Sequence, residues 1–328
     1  MRKAIVLFCC AVLAALFSGC SDYNELNMQE IVSGVGIDIT ENGVTVSVQT
    51  SGTGEDEEAF VYVSDGRSFF DAVRRISESS GKKLYWGHCR IAVLSENSLP
   101  QALGEICDTV FRSQDVFPDI SALCASGSTA QKIIESPSGK NSSETIYDTL
   151  ANAENSRRFI SAPLWKIMRD GTEHGACMIP CITLSEDGGF TVSGGAVIFG
   201  EGRTSKLSAD EVLAFSLISE NGAGGYLPTL NVGGNSSVSL EILENDAKKK
   251  IKDGALTIEQ KCVLAPGELL GRAENKAIAA AAEEHIKSEA EKLLKRAEKE
   301  GFSEIFGVGS FNSASVSCRA VISNVRGD

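Results

Sequence analysis

The feature that most restricts the fold of this chain is its single long apolar segment. It runs from Ala4 to Phe17, 14 residues without a charge, directly after Met1-Arg2-Lys3. A helix that crosses the hydrocarbon core needs about 20 apolar residues, so this segment is too short, and its length and basic flank are typical of a secretory signal. No second apolar run in the sequence is long enough to cross a membrane. The chain from residue 20 onward is therefore expected to be exported.

The signal ends in Leu16-Phe17-Ser18-Gly19-Cys20, with small residues before a cysteine. That order resembles a bacterial lipobox, in which cleavage falls before the cysteine and the thiol receives diacylglycerol. Phe17 stands where an aliphatic residue is usual. We expect lipidation at Cys20. Each buried CH2 adds about 0.8 kcal/mol, so a single acyl chain holds a protein marginally and two or three chains hold it firmly. An ordinary secretion signal and an uncleaved signal anchor remain open alternatives.

The charge of the exported part excludes some classes of partner. Removing residues 1–19 takes Arg2 and Lys3 from the 31 basic residues and leaves 29 against 44 acidic ones, a net charge of −15. Such a surface repels nucleic acid and anionic headgroups. We therefore expect no nucleic-acid partner, and we expect the lipid to provide the membrane attachment.

Seven cysteines follow Cys20, namely Cys89, Cys107, Cys124, Cys177, Cys181, Cys262 and Cys318. An odd number cannot all pair within one chain, and most lie in alternating apolar contexts, so we interpret them as small buried hydrophobes. Cys177, Cys181 and the nearby His174 fall short of the four ligands of a closed zinc site. A disulfide between Cys177 and Cys181 stays open.

Strand and helix patterns interleave along the chain. Val44, Val46 and Val48 alternate with polar residues, as in a half-buried strand. Other strands are predicted at 31–39, 59–63, 90–94, 119–125, 178–184, 190–199, 238–243, 255–264 and 314–322. Helices are predicted at 68–80, from 100 to about 110, and at 128–135, 143–157, 208–220 and 275–300. The Gly-rich segment 222–234 is interpreted as a mobile loop.

These patterns contain no strand that leads into a phosphate-binding loop, so the predicted class is α+β. We expect two to three small domains whose mixed or antiparallel sheets carry helices on one face, with a long C-terminal helix. The predicted division is a signal peptide at 1–19, a lipidated tether at 20–30, an N-terminal α+β region at 31–190 and a C-terminal α+β domain at 191–328.

No catalytic residue, metal site or cofactor is predicted. His88 and Cys89 are neighbours beside a strand, where adjacent side chains point to opposite faces and cannot form a simple pair. The segment 136–140 lacks the spacing of a nucleotide-binding phosphate loop.

Several segments, in order, resemble the Ger(x)C family. They are Asn24-Glu25-Leu26 with the strand Ile31-Val32-Ser33-Gly34-Val35-Gly36-Ile37-Asp38, then Leu84-Tyr85-Trp86-Gly87-His88 leading into 89–94, then Gly194-Gly195-Ala196-Val197-Ile198-Phe199, Leu207-Ser208-Ala209-Asp210-Glu211 and Glu304-Ile305-Phe306-Gly307-Val308-Gly309. Together these segments extend over nearly the whole exported part of the chain.

The resemblance implies a non-enzymatic lipoprotein, the C subunit of a spore nutrient germinant receptor. It would lie on the extracytoplasmic face of the spore inner membrane with integral-membrane A and B subunits. The alternative is a lipid-anchored solute-binding or surface-adhesion protein.

The long C-terminal helix offers a candidate docking face for partner subunits, with Glu284, Glu291 and Lys295 as its residues. The competing interpretation is a solvated face with i,i+4 ion pairs such as Glu291–Lys295.

Overall fold

The computed structural model of the protein describes Lys3 and residues 29–51, 59–113, 116–136 and 141–323. Within these residues the chain forms thirteen strands in two sheets and eight α-helices. The predicted α+β class is confirmed, and so is the long C-terminal helix, which spans Asn275–Glu300. The predicted signal and lipidation at Cys20 lie outside the described residues.

The first sheet contains nine strands. They are β1 Gln29–Thr40, β2 Gly43–Ser51, β3 Phe60–Gly66, β4 Lys83–Tyr85, β5 Ile91–Ser95, β6 Ser121–Ala125, β7 Ala176–Leu184, β8 Phe190–Phe199 and β9 Arg203–Leu207. The helices among them are α1 Phe69–Ser80, α2 Leu99–Arg112, α3 Ala130–Ile134, α4 Ser142–Ala151, α5 Ala153–Ser156 and α6 Leu164–His174.

These strands lie in the order β3-β2-β1-β5-β6-β7-β8-β9, with the short β4 beside the start of β1. β1, β5, β6 and β7 run parallel to one another, and helices occur in the connections between them. The strands toward the two edges pair antiparallel. Parallel neighbours need long crossover connections, which the helices provide. With nine strands, this sheet is larger than the small sheets expected from the sequence.

Helices cover both faces of the first sheet. Val93 of β5 packs in one buried cluster with Ile133 of α3, whereas the next residue, Leu94, packs in another with Ile106 of α2. Adjacent strand residues point to opposite faces, so a helix layer lies on each side, where one layer was expected. A strand covered on both faces carries a continuous apolar run, and all five residues of β5 are buried.

The glycines of β1 let two helices approach the sheet closely. A Cβ on Gly34 would collide with α4, and one on Gly36 would lie 3.1 Å from the backbone carbonyl of Ala130. The buried carboxylate of Asp38 accepts hydrogen bonds from the backbone N–H groups of Ala130 (2.8 Å) and Gln131 (2.9 Å). It thereby satisfies donors that have no partner within α3. The segment Gly-x-Gly-Ile-Asp therefore seats α3 and α4 on the sheet.

The second sheet contains four strands in the order β10-β11-β12-β13. They are β10 Tyr226–Gly233, β11 Ser236–Lys252, β12 Ala255–Leu270 and β13 Ser313–Ile322, accompanied by α7 Ala209–Ser219 and α8 Asn275–Glu300. β11 and β12 form a long antiparallel hairpin, and α8 forms the crossover to β13, which pairs parallel with β12. Asp253 and Gly254 form the hairpin turn at φ 51° and 78°, as a tight two-residue turn requires.

Helices cover one face of this second sheet. Along β12, Leu256 and Ile258 are buried while Thr257 and Glu259 are exposed. The covering helix α8 packs through an apolar stripe, and every member is buried: Ile278, Ala282, Ile286, Leu293 and Ala297.

The two sheets share one hydrophobic core. The ring centroid of Phe302, just after α8, lies 5.7 Å from that of Phe199 on β8. Ile258 of β12 belongs to the same buried cluster. The division at residue 191 stays a prediction, and β8 and β9 pair within the first sheet.

Some elements differ from the expectation. The helix predicted over 143–157 is instead α4 followed by α5, with a break at Asn152, whose side chain donates to the Asp148 carbonyl at 3.0 Å and competes with helix continuation. The mobile loop predicted over 222–234 is wrong for 226–233, which form β10, because Leu227 and Leu230 are buried against α8. Helix α6 and strand β9 were not predicted.

Candidate interaction surfaces

The outer face of α8 presents the three charged residues predicted to meet a partner. Glu284, Glu291 and Lys295 are all exposed. Their spacings of seven and four residues are close to whole turns of 3.6 residues, so the three share one stripe of the helix. Glu291 Oε1 lies 4.0 Å from Lys287 Nζ, so Glu291 pairs with Lys287 rather than with Lys295. An exposed ion pair of this kind adds little stability. The docking role of this stripe stays a prediction.

The inner edge of α8 is fixed to its neighbours by Arg296. Its guanidinium donates to carboxylate oxygens of Glu211 (2.7 Å) and Glu300 (2.8 Å) and to Ser205 Oγ of β9 (2.9 Å). The hydrogen bond between Arg296 and Glu300 raises the pKa of Arg296 and lowers that of the Glu300 carboxyl. Glu211 also forms a capping box with Ser208. This network sets the orientation in which α8 presents its exposed stripe.

A second link between the sheets is the buried Arg157, which lies after α5 at φ 52°. Its guanidinium donates to the backbone carbonyls of Glu220, Gly222 and Ala223 at 3.1–3.3 Å. Burial lowers the pKa of Arg157 from its ordinary value. Sequence analysis missed this residue. The available signal was the glycine-rich run at 222–225, because glycine permits close approach of another side chain.

Six of the seven cysteine thiols of the described residues are buried. Cys89 is buried and its Sγ donates to the Ile91 carbonyl, whereas the neighbouring His88 is exposed. Burial raises the pKa of Cys107 to about 11 and the pKa of Cys89 and of Cys177 to about 12. Thiols with such pKa values stay protonated at neutral pH, and the thiolate is the nucleophile.

All seven cysteines after Cys20 are free, six of them buried and Cys318 partly exposed. Cys181 of β7 is the register partner of Cys124 on β6. Residues four apart in one strand are about 13 Å apart, beyond the reach of a disulfide, so the Cys177–Cys181 alternative is wrong. The part of the chain that the structure describes contains no group of three or more His, Cys, Asp or Glu side chains that could hold a metal ion.

A groove of about 430 Å³ lies between α1 and α2. The rings of Phe69 and Trp86 meet edge to face in it, with centroids 6.0 Å apart. Phe70 contributes to the lining and is 57% exposed. Four charged residues also line the groove: Arg74, Lys83, Asp108 and Arg112.

The groove lies at the end of the first sheet where β1 begins. Gln29, the first residue of β1, is the register partner of Lys83 in the groove lining. Two phenylalanines at this end, Phe111 and Phe117, are 52% and 58% exposed. Trp165 lies beside them, with its backbone N–H donating to the Pro118 carbonyl at 3.0 Å. The surface formed by the groove, Phe111, Phe117 and Trp165 is called the tether end below.

Sequence analysis did not identify the tether end. Phe70 and Phe111 fall outside the apolar stripes of α1 and α2, and large aromatic side chains on the polar face of two helices were the available signal.

The membrane attachment predicted at Cys20 precedes the described residues. Among the described residues, no helix is both long enough and apolar enough to cross a membrane.

Comparison with known proteins assigns the part of the chain that contains β1 to β7 to a family. Residues 22–184 match the family described as the spore germination protein N-terminal domain. Spore germination protein KC of Bacillus subtilis (strain 168) is 24% identical to this chain over 166 residues. That alignment covers 46% of this chain and 41% of the relative, so the match spans less than half of either protein.

The structure is also similar to the crystal structure of the GerBC protein. The similarity covers 92% of this chain and 100% of that one, with 14% identity and a TM-score of 0.48.

The family match agrees with the segments that first suggested it. The segment Ile31–Asp38 lies inside the matched range and forms most of β1, and the segment Leu84–Leu94 lies there too and connects β4 with β5. The chain belongs to the Ger(x)C family of spore germination proteins.

Proposed function

We propose that this protein is the lipid-anchored C subunit of a nutrient germinant receptor. It acts on the extracytoplasmic face of the spore inner membrane together with integral-membrane A and B subunits. The observation that carries the proposal is the start of the family match at residue 22, directly behind the lipobox cysteine Cys20. A signal, a lipidation site and a germination domain thus follow one another without an intervening segment.

In this proposal the protein is a non-enzymatic component of the complex. The buried thiol of Cys89 supports it, because burial raises its pKa and shields it from the exposed His88 beside it. The relative that matches this chain is also named as a spore germination protein rather than by a reaction.

We further propose that the outer stripe of α8 contacts the partner subunits. Glu284, Glu291 and Lys295 project from a helix whose opposite side is packed and hydrogen-bonded, so the stripe is presented rigidly. Charged side chains of this kind guide the choice of partner more than they add affinity.

The test is co-purification from detergent-solubilised spore inner membranes through a C-terminal tag. Recovery of A and B subunits with the wild-type chain is the expected result. Recovery of this protein alone, or with a transporter from vegetative membranes, would overturn the proposal in favour of the solute-binding alternative.

Two variants separate the parts of the proposal. Cys20→Ala removes the acceptor for the lipid and is expected to abolish both membrane retention and recovery of the subunits. The triple variant Glu284→Lys, Glu291→Lys, Lys295→Glu is expected to stay in the membrane and lose the subunits. Glu259→Lys, on the exposed face of β12, is the matched control and should retain them.

A further inference from the structure

The tether end carries aromatic side chains that are largely exposed. Phe70, Phe111 and Phe117 are each more than half exposed. Single exposed apolar residues are ordinary, but several beside an apolar groove mark an interaction site. Aromatic rings are also the side chains that settle most readily at the boundary between headgroups and acyl chains.

The charge of the groove is opposite to that of the whole protein. Its charged lining consists of Arg74, Lys83 and Arg112 against the single acid Asp108, whereas the full chain has a net charge of −13. Arg112 also forms an ion pair with Asp108 at 2.7 Å, and the Arg74 guanidinium lies 5.0 Å from the centre of the Phe70 ring. Basic groups beside an apolar surface suit anionic lipid headgroups.

The position of the groove relative to the chain start decides which partner fits best. Gln29 pairs with Lys83 at the groove, and Cys20 precedes Gln29 by nine residues. Nine residues span at most about 30 Å when fully extended. If Cys20 is lipidated, as the proposed function requires, the tether end is the part of the first sheet held nearest to the bilayer.

We propose that the tether end rests on the surface of an anionic phospholipid bilayer, with Phe70, Phe111 and Phe117 at the headgroup boundary and Arg74 and Lys83 against the headgroups. This inference rests on the lipid anchor of the proposed function. It assigns to the folded domain a second membrane contact and a fixed orientation, with the exposed stripe of α8 left free for protein partners.

The two tryptophans of the chain allow a test without added labels. Trp86 lines the groove and Trp165 lies at the tether end. The lipidated, full-length mature protein is reconstituted into vesicles of phosphatidylglycerol and phosphatidylcholine whose acyl chains are brominated near the headgroup. Bromine quenches tryptophan only near contact, so quenching relative to unbrominated vesicles is the expected result. Flotation of the same vesicles reports the lipid anchor separately.

Variants distinguish the tether end from the anchor. Phe111→Ser with Phe117→Ser, and separately Arg74→Glu with Lys83→Glu, are expected to lose the quenching while the protein still floats. Leu270→Ser is the matched control, because Leu270 is 56% exposed on β12 of the second sheet. Its quenching should equal that of the wild type.

Each contrary outcome has a distinct meaning. Flotation without quenching overturns the bilayer contact and leaves the lipid anchor standing. Failure to float overturns both, and quenching that the two double variants retain overturns the assigned residues. Quenching that requires A and B subunits in the vesicles would overturn the bilayer as the occupant and indicate a protein partner.

Discussion

The two sheets of this protein bury their strands in different ways. In the first, every residue of β5 and β6 is buried, because helices cover both faces. In the second, alternate residues of β12 are exposed, because helices cover only one. A strand covered on both faces tolerates little change at any position, whereas one covered on a single face tolerates polar residues at every second position. Free surface for partners therefore concentrates on the second sheet and on the ends of the first.

The strongest test of this comparison concerns the core that joins the two sheets. Phe302→Ala is expected to lower the free energy of unfolding by about 3–5 kcal/mol, because its ring is fully buried against the first sheet. Phe60→Ala, at a residue 63% exposed, should change it by less than about 0.5 kcal/mol. Urea unfolding followed by circular dichroism measures both. Two separate transitions in the wild type would contradict a shared core.

The burial patterns themselves are tested by substitutions on opposite faces of one strand. In β5, Ile91→Ala and Leu94→Ala should each lower the free energy of unfolding by about 2–5 kcal/mol, because both side chains are fully buried. In β12, Ile258→Ala should have a similar effect, but Glu259→Ala should change it by less than about 0.5 kcal/mol. Chemical denaturation measures all four. A cost below about 0.5 kcal/mol for either β5 substitution would remove the distinction between the sheets.

A smaller effect is expected at the polar link within the first sheet. Asp38→Ala leaves two backbone N–H groups of α3 without their acceptor and should cost about 2–3 kcal/mol. Hydrogen exchange at Ala130 and Gln131 should accelerate in the same variant. Asp65→Ala is the control, because Asp65 is solvent-accessible and accepts from the Thr45 hydroxyl. A cost equal to that of the control would show that α3 is held by packing alone.

The smallest effect is expected at Glu300, which pairs with Arg296 within α8 and accepts a hydrogen bond from Ser205 of β9. The pKa of Glu300 is lowered in the folded state, so its stabilisation is present above the unfolded pKa of about 4.3 and is lost as pH falls through the folded pKa. Glu300→Gln should flatten the acid side of the stability curve and change stability at neutral pH by less than about 1 kcal/mol. Glu298→Gln, at an exposed residue of the same helix, should leave the curve unchanged. Denaturation across this pH range measures the difference.

Sequence periodicity was sufficient wherever one face of an element is apolar. The helix at 275–300 and the strand at 255–264 were predicted because the apolar pattern of each repeats over many residues. Strand β9 could not be found in this way, because only Ser205 and Leu207 of its five residues are buried.

The second helix layer packs on the sheet through apolar contacts, but its contacts with β2 are polar, and these were not predicted. Gln49 of β2 is buried, yet its side-chain oxygen accepts from the backbone N–H of Ser143 at 2.8 Å and from the Ser142 hydroxyl at 3.0 Å. A buried polar residue satisfied by partners far along the chain has the same sequence pattern as an exposed one. The strand was therefore expected to be half-buried.

The two candidate surfaces also differ in how far they were predicted from the sequence. The exposed charged stripe of α8 depends on one helix and was predicted from the charged residues of that helix. The groove depends on how α1 and α2 lie beside each other, which the order of β1, β2, β3 and β5 in the sheet determines. The sequence identified neither that order nor the exposed phenylalanines as a set.

The short connection from Cys20 to Gln29 has a consequence for how tightly the tether end must bind. If Cys20 carries the proposed lipid, the eight residues between Cys20 and Gln29 turn contact with the bilayer into an intramolecular event, with an effective concentration in the millimolar range. A contact too weak to measure between free protein and vesicles is then occupied most of the time once the lipid is inserted. Phe111 and Phe117 therefore need to supply only millimolar affinity, and natural variation at these two positions should be judged against that modest requirement.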